Sequence, residues 1–299
     1  MNIFRKIILS VFGTVVVIVL GGYCYFNQKF TPENNYLTVN NESGRIPIQW
    51  PAEDKSALLL PISFPGDPAP YYLQFDTGAV YTEFYSVPIQ SIKGIRVDHD
   101  RAASTFYIGK TKISSDRFKV SETGSKDSRI IGTLGADILE DRKTLISFKD
   151  RFIIFNLSEE PAAFKNNLID FKFKRRKIIV HGLLNGKEEK FLYDSGTSAY
   201  ELLTHKEEWA TLKLPHSRIT VEKAQSRTDV LTSYTADSHT IIRFSNKEIP
   251  LTEVTYVEGF SGTQYMLMKF SGMTGMLGNK IFLQNSIYMD CSKEKIGFN

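Results

Sequence analysis

Residues 72–81, YLQFDTGAVY, and residues 191–200, FLYDSGTSAY, decide how this chain folds. Each is a β-prone, largely apolar run (Leu73 and Phe75, Phe191 and Tyr193) that ends in Asp-Thr-Gly or Asp-Ser-Gly followed by another small residue. This pattern predicts a buried strand that delivers a carboxylate, Asp76 or Asp194, into a turn that glycine makes accessible. One Asp-Thr-Gly carries little weight, because three common residues recur by chance. Two copies, each behind an apolar strand and 118 residues apart (194 − 76), carry much more. Two carboxylates held face to face do not both ionise readily, so over a working range they share one proton. One then serves as base toward a water and the other as acid toward a carbonyl oxygen.

An internal repeat supports the pairing. Residues 132–155, GTLGADILEDRKTLISFKDRFIIF, align without a gap on residues 275–298, GMLGNKIFLQNSIYMDCSKEKIGF, at an offset of 143 (275 − 132). Gly132 meets Gly275, Leu134 meets Leu277, Gly135 meets Gly278, and Ile138, Ile153 and Phe155 meet Ile281, Ile296 and Phe298. The two offsets differ by 25 (143 − 118), so the second half carries about that much additional loop.

FDTGA and YDSGTS resemble the two active-site loops of the pepsin-like aspartic peptidases, the bilobal family in which each lobe donates one aspartate. The resemblance implies an all-β, bilobal acid-protease fold of two related barrel-like lobes. It also implies catalytic roles for Asp76 and Asp194. Thr77 and Ser195 would cross-brace the loops, Gly78 and Gly196 would let backbone approach the carboxylates, and Thr197 would complete the second loop. Leu134-Gly135 and Leu277-Gly278 match the hydrophobic-glycine elements that support the loops from beneath. Ala79 stands where pepsins commonly place serine and is similar to the Asp-Thr-Gly-Ala of retroviral-type relatives. The family's flap tyrosine has candidates in Tyr85 and Tyr107, although its usual Tyr-Gly-Thr is absent. No metal or cofactor is implied. The ligand would be a peptide or protein substrate in the cleft between lobes, and one chain would suffice as a monomeric catalytic unit. The alternative is a protein of the cell envelope that keeps this fold as a silent binding or scaffold module.

A chain of 299 residues with 42% hydrophobic content suits two lobes of ordinary size. Its net charge of +4, without a basic face interleaved with aromatics, argues against nucleic-acid binding. The five histidines are scattered without metal-ligand spacing. Cys24 and Cys291 lie in unrelated contexts, so no disulfide framework is expected.

In chain order, residues 7–26 contain no charge and are long enough to cross a bilayer as a helix. Arg5 and Lys6 precede them, which places the N-terminus in the cytoplasm and the remainder outside it, in the periplasm or at the cell surface. The expected organisation is an anchor over 1–30, a polar stalk over 31–55, a first lobe over 56–160, a connection over 161–175 and a second lobe over 176–299. Within the first lobe, PGDPAP (65–70) is a turn joining two strands, with further turns at Lys93-Gly94 and Gly109-Lys110. FKFKRRK (171–177) places five cations in seven residues, a half-exposed strand or an attraction toward anionic lipid. Asn185-Gly186 predicts a type I′ hairpin, and ELLTHKEEWATLK (201–213) has helical spacing.

Overall fold

The computed structural model describes residues 21, 22, 25, 27–51, 53, 55–122, 127–225, 230–259 and 272–299. The chain divides into one unit up to Asn34 and a second from Asn35 to Asn299. In the first, the Thr31 amide and hydroxyl both donate to the Asn27 carbonyl, at 3.0 and 2.6 Å. Among the described residues no helix is long and apolar enough to cross a membrane. The anchor expected over 7–26 falls almost entirely outside those residues.

The second unit is mostly β. Its first nine strands are β1 (Thr38–Asn40), β2 (Ile46–Pro47), β3 (Leu59–Phe64), β4 (Asp67–Phe75), β5 (Glu83–Tyr85), β6 (Ile95–Asp98), β7 (Arg101–Ile108), β8 (Thr111–Ser121) and β9 (Ile130–Leu134). All except β2 form one sheet in the order β1-β8-β5-β9-β4-β3-β7-β6. Because β8 also pairs with β7, six of these strands close into a barrel. Phe84, Phe106 and Phe118 fill it, with ring centroids 5.0 to 5.9 Å apart. Their alternation with polar neighbours is what puts these rings on the inner face of each strand.

The rest of the chain supplies β10 (Lys143–Ser147), β11 (Phe152–Phe155), β12 (Leu168–Lys174), β13 (Lys177–Leu184), β14 (Lys187–Tyr193), β15 (Leu202–Thr204), β16 (Ile219–Gln225), β17 (Val230–Phe244), β18 (Lys247–Glu258), β19 (Gly275–Leu277), β20 (Ser286–Asp290) and β21 (Lys295–Phe298). With β2 they form a sheet ordered β16-β17-β18-β15-β19-β14-β13-β12-β21-β20-β10-β11-β2. Here β17 also pairs with β13, so β17-β18-β15-β19-β14-β13 form a ring of the same strand sequence as the first. Beyond the ring β16 flanks β17 on one side, and on the other β12-β21-β20-β10-β11-β2 draw on both halves of the chain.

The internal repeat is repeated geometry. β4 runs parallel to β9 with Phe75 opposite Leu134, and β14 runs parallel to β19 with Tyr193 opposite Leu277. β10 and β20 pair antiparallel with Leu145 opposite Tyr288, two positions the offset of 143 makes equivalent. The relation between halves therefore turns about that pair, and Ser147 duly meets Ser286. The additional length of the second half lies partly in its hairpin. β16 and β17 have 7 and 15 residues where β6 and β7 have 4 and 8.

Several local expectations change. The supposed stalk is folded from Asn35 onward: β1 pairs with β8, β2 pairs with β11, and Ile46 and Ile48 are buried. Its few apolar residues are spaced to cover a barrel rather than to form a long amphipathic run. In PGDPAP only Pro65 and Gly66 turn, Gly66 at φ +76°, and the remaining four residues, Asp67 to Pro70, belong to β4. Proline fixes the first turn position and glycine supplies the second. Lys93-Gly94 turns as expected, closed by the Ile95 amide on the Ile92 carbonyl at 3.2 Å, and a further turn at His99-Asp100 joins β6 to β7. Gly109-Lys110 and Asn185-Gly186 turn as expected, the latter with φ of +51° and +77°. Of the helical stretch only Lys206–Leu212 is helix, because Leu202–Thr204 is taken into the ring as β15. Tertiary pairing there overrides a short periodic signal.

One core exchange distinguishes the halves. Phe75 and Ala136 in the first correspond to Tyr193 and Asn279 in the second. The Tyr193 hydroxyl donates to Asn279 Oδ1 at 2.8 Å, while Asn279 Nδ2 donates to the Ser195 carbonyl and to Ser198 Oγ. All of this is buried, so the network has to be satisfied internally. Asn279→Ala is expected to lower unfolding stability by about 1–3 kcal/mol, since it strands the tyrosine hydroxyl. Urea denaturation of wild type and variant measures the loss.

Candidate active site

The strands β4 and β14 end at the same place, and the two aspartate loops face each other there. The loops are joined by four reciprocal hydrogen bonds. The Thr77 amide donates to Ser195 Oγ and the Ser195 amide to Thr77 Oγ1, both at 2.9 Å. The Thr77 hydroxyl then donates to the Tyr193 carbonyl at 3.1 Å and the Ser195 hydroxyl to the Phe75 carbonyl at 3.0 Å. Both side chains are fully buried. Each hydroxyl thus satisfies a donor and an acceptor of the opposite strand end, groups that would otherwise be buried without partners.

The glycines explain themselves by proximity. A Cβ on Gly78 would lie 2.5 Å from Asp194 Oδ1, and one on Gly196 would lie 2.5 Å from Asp76 Oδ1. Each loop therefore presses bare backbone against the other loop's carboxylate. Asp76 Oδ1 accepts from the amides of Gly78 and Ala79, at 2.7 and 3.1 Å. Asp194 Oδ1 accepts from the Gly196 amide at 2.9 Å. Thr197 does not reach the carboxylate: its hydroxyl donates to the Asp194 backbone carbonyl at 2.9 Å.

Burial pushes the Asp194 carboxyl up to about 6, and the neighbouring Asp76 carboxylate, within hydrogen-bonding reach, pushes the same way. The Gly196 amide and the Lys177 ammonium oppose that rise. The pair is thus one in which a proton is held well above the ordinary carboxylate range.

Beneath the loops, the Asp76 amide donates to the Leu134 carbonyl and the Asp194 amide to the Leu277 carbonyl, at 3.0 and 2.9 Å. Gly135 and Gly278 follow. A Cβ on the first would stand 2.4 Å from the Tyr81 carbonyl and on the second 2.1 Å from the Thr197 carbonyl. Asp137 anchors the first of these supports, accepting from the amide and hydroxyl of Thr82 at 2.7 Å each. All eleven residues singled out by sequence, Asp76, Thr77, Gly78, Leu134, Gly135, Asp194, Ser195, Gly196, Thr197, Leu277 and Gly278, therefore converge on one place.

No protein-family model matches this chain, and no curated protein matches it.

Tyr85 and Tyr107 do not sit at the tip of the β6–β7 hairpin. The Tyr85 hydroxyl hydrogen-bonds Thr133 Oγ1 at 2.9 Å, and Tyr107 lies near the other end of β7, opposite Lys112. Among the described residues no cluster of His, Cys, Asp or Glu is placed to hold a metal ion. Cys291 is buried, and burial raises its thiol above the ordinary range.

Two features escaped the sequence. A cavity of about 740 Å³ adjoins the second loop, lined by Gly196, Thr197, Tyr200 and Met276 and by Ala224 and Leu231 of the β16–β17 hairpin. Its walls come from segments far apart in sequence, so no local pattern marks it. The second feature is the fate of FKFKRRK. Lys172 pairs with Glu294 at 2.9 Å, but Arg176 is buried against Glu140 and Lys177 donates to the Gly78 carbonyl. Lys172 and Lys174 are exposed on β12 beside buried Phe171, as expected of a half-exposed strand, while Lys172, Arg176 and Lys177 go to three separate partners.

Thr77→Val and Ser195→Ala are each expected to cost about 1–3 kcal/mol of stability, because each leaves a buried amide and carbonyl unpaired. The double variant should cost less than the sum, since either change already loosens both loops. Equilibrium denaturation of the four proteins reads this directly.

Proposed function

We propose that this chain is a bilobal, pepsin-like aspartic endopeptidase that hydrolyses peptide bonds by a water activated between Asp76 and Asp194. The observation that carries the reading is the reciprocal brace of Thr77 and Ser195, which holds two carboxylates together, each against the other loop's glycine. Two closed rings of matching strand order, joined by strands from both halves, support the bilobal description. The cavity beside the Asp194 loop offers room for a substrate side chain.

In this mechanism the shared proton resides on Asp194, which accepts one backbone amide where Asp76 accepts two. Asp76 takes a proton from water as the water oxygen bonds to the peptide carbonyl carbon. Asp194 passes its proton to the carbonyl oxygen, so the tetrahedral intermediate is neutral. The C–N bond then breaks as Asp76 delivers its proton to nitrogen and Asp194 recovers one from the geminal hydroxyl. Products are a free carboxyl and a free amine.

The charge-free run over residues 7–26 behind Arg5 and Lys6 supports membrane tethering with the catalytic part outside the cytoplasm. The hairpin tip at His99-Asp100, which carries no tyrosine, favours the second reading, a fold retained for binding without turnover.

Incubating the full-length protein with a complex peptide mixture across acidic to neutral pH, with and without pepstatin, tests both. Cleavage is expected to fall as pH rises through about 6, where the Asp194 proton is lost and both carboxylates are ionised. It should also fall in strong acid, where both are protonated. Asp76→Asn and Asp194→Asn should each abolish cleavage while leaving the thermal transition in place. Full activity in either variant sinks the mechanism, and a folded wild type inert at every pH leaves the binding module.

A further inference from the structure

The turn between β12 and β13 is made by Arg175 and Arg176, at φ +54° and +60°. Two successive non-glycine residues in the left-handed region are unfavourable, and such turns ordinarily use Asn-Gly. This chain does use Asn-Gly at its next hairpin, 185–186. Strain of this kind persists only where surrounding contacts over-determine it, and it collects at functional sites. The contacts here are specific. Arg176 is 3% exposed and sends Nε and Nη2 to Glu140 Oε2 at 3.1 and 2.9 Å. Glu140 directly follows the short helical turn Ala136–Leu139 behind the Leu134-Gly135 support. The turn of the second half is thereby bolted to the floor of the first aspartate loop.

The next residue is Lys177, whose Nζ donates to the carbonyl of Gly78. Gly78 is the residue whose backbone lies against the Asp194 carboxylate. The corresponding position in the first half is Ala57, one residue before Leu58, whose carbonyl receives the Phe75 amide. In the second half Ile178 stands opposite Tyr193 in the same way. A cation therefore enters this otherwise two-fold arrangement from one side only.

We propose that Lys177 is a positioning residue that pins the Gly78 peptide against the Asp194 carboxylate and, through its charge, sets the pH range over which the aspartate pair keeps its shared proton. This rests on the pairing of Asp76 with Asp194, and it does not require that the pair cleave peptides. The groups facing Asp194 are Asp76 from the first loop, Tyr193 from β14 and Lys177 from β13. Glu222 and Lys223 line the adjoining cavity from the β16–β17 hairpin. Of these, Lys177 is the cation that holds the Asp194 carboxyl down against burial and Asp76.

The test is a titration of ¹³C-carboxylate aspartate signals by NMR in the full-length protein, with Asp76→Asn and Asp194→Asn identifying the pair. Lys177→Gln keeps a donor for Gly78 but removes the charge, and Lys177→Met removes both. Both variants are expected to move the pair's proton release upward by about one pH unit. Lys177→Met alone should also lower the turnover rate of any cleaved peptide several-fold, with the pH range shifted in parallel. Unmoved titration in a folded Lys177→Gln protein overturns the charge role, and equal turnover in the two variants overturns the pinning role. Should Lys177→Met fail to fold, Lys177→Gln and the charge-keeping Lys177→Arg decide on titration alone, with Arg expected to stay near wild type. A wild-type pair that titrates with a shared proton while no peptide is cleaved would count against the peptidase reading, and the charge role of Lys177 is then decided by the variants' titrations.

Discussion

Everything near the centre of this protein depends on two hydroxyls that must each find both a donor and an acceptor across a chain separation of 118 residues. Thr77 and Ser195 are buried completely, and so are the backbone groups they serve. Their bonds cannot be exchanged for bonds to water without opening the structure. That condition fixes how far apart β4 and β14 end and how their loops face. Once it is met, glycine is required at 78 and 196, because no other residue leaves space for the opposite carboxylate. Burial at this junction, with the facing Asp76 second, raises the Asp194 carboxyl, so the acid–base character of the site is a result of how the strands are tied together.

The two halves obey one plan and differ around the two aspartate loops. In the first half the pair Phe75 and Ala136 is apolar. In the second, Tyr193 and Asn279 place a polar network directly under Ser195 and Ser198. Asp76 collects two amides and Asp194 one, and Lys177 approaches from the second half alone. A symmetric pair of carboxylates has no reason to prefer either location for a shared proton. These departures give it one.

Much of this was readable from residue order, and the reason is physical. An apolar strand ending in Asp-Thr-Gly is a local signal, and a gapless repeat from Gly132 to Phe155 over Gly275 to Phe298 preserves register because β-pairing tolerates no single-residue slip. The strands that repeat are the ones that hold the site. What was not readable depended on partners remote in sequence. The segment from Asn35 reads as polar linker because β1 and β2 are short and lend only a few side chains, such as Ile46 and Ile48, to a core built elsewhere. Leu202–Thr204 reads as part of a helix because its strand partners, Gly275–Leu277 and Thr255–Tyr256, lie more than fifty residues away. Lys177 reads as one charge in a basic run. Only the left-handed turn at Arg175 and Arg176, which composition does not announce, swings it toward Gly78.

The shared sheet also has a consequence for how the chain reaches its fold. Each ring holds two hairpins, β3 with β4 and β7 with β8 in the first and β13 with β14 and β17 with β18 in the second, and its other pairings close shorter stretches of chain than the seam does. Between the rings, beside the local hairpins β10–β11 and β20–β21, lie pairings that close over much longer stretches. β12 pairs with β21, setting Leu168 against Gly297, and β10 pairs with β20, setting Lys143 against Asp290. These closures span more than a hundred residues, and closures of that length are the slow steps of folding. Each ring can therefore gather early from local hairpins, while the seam that brings the two aspartates face to face forms last. During that interval β10 and β12 present unpaired edges, which makes the half-assembled chain, more than the finished one, the species exposed to misassociation.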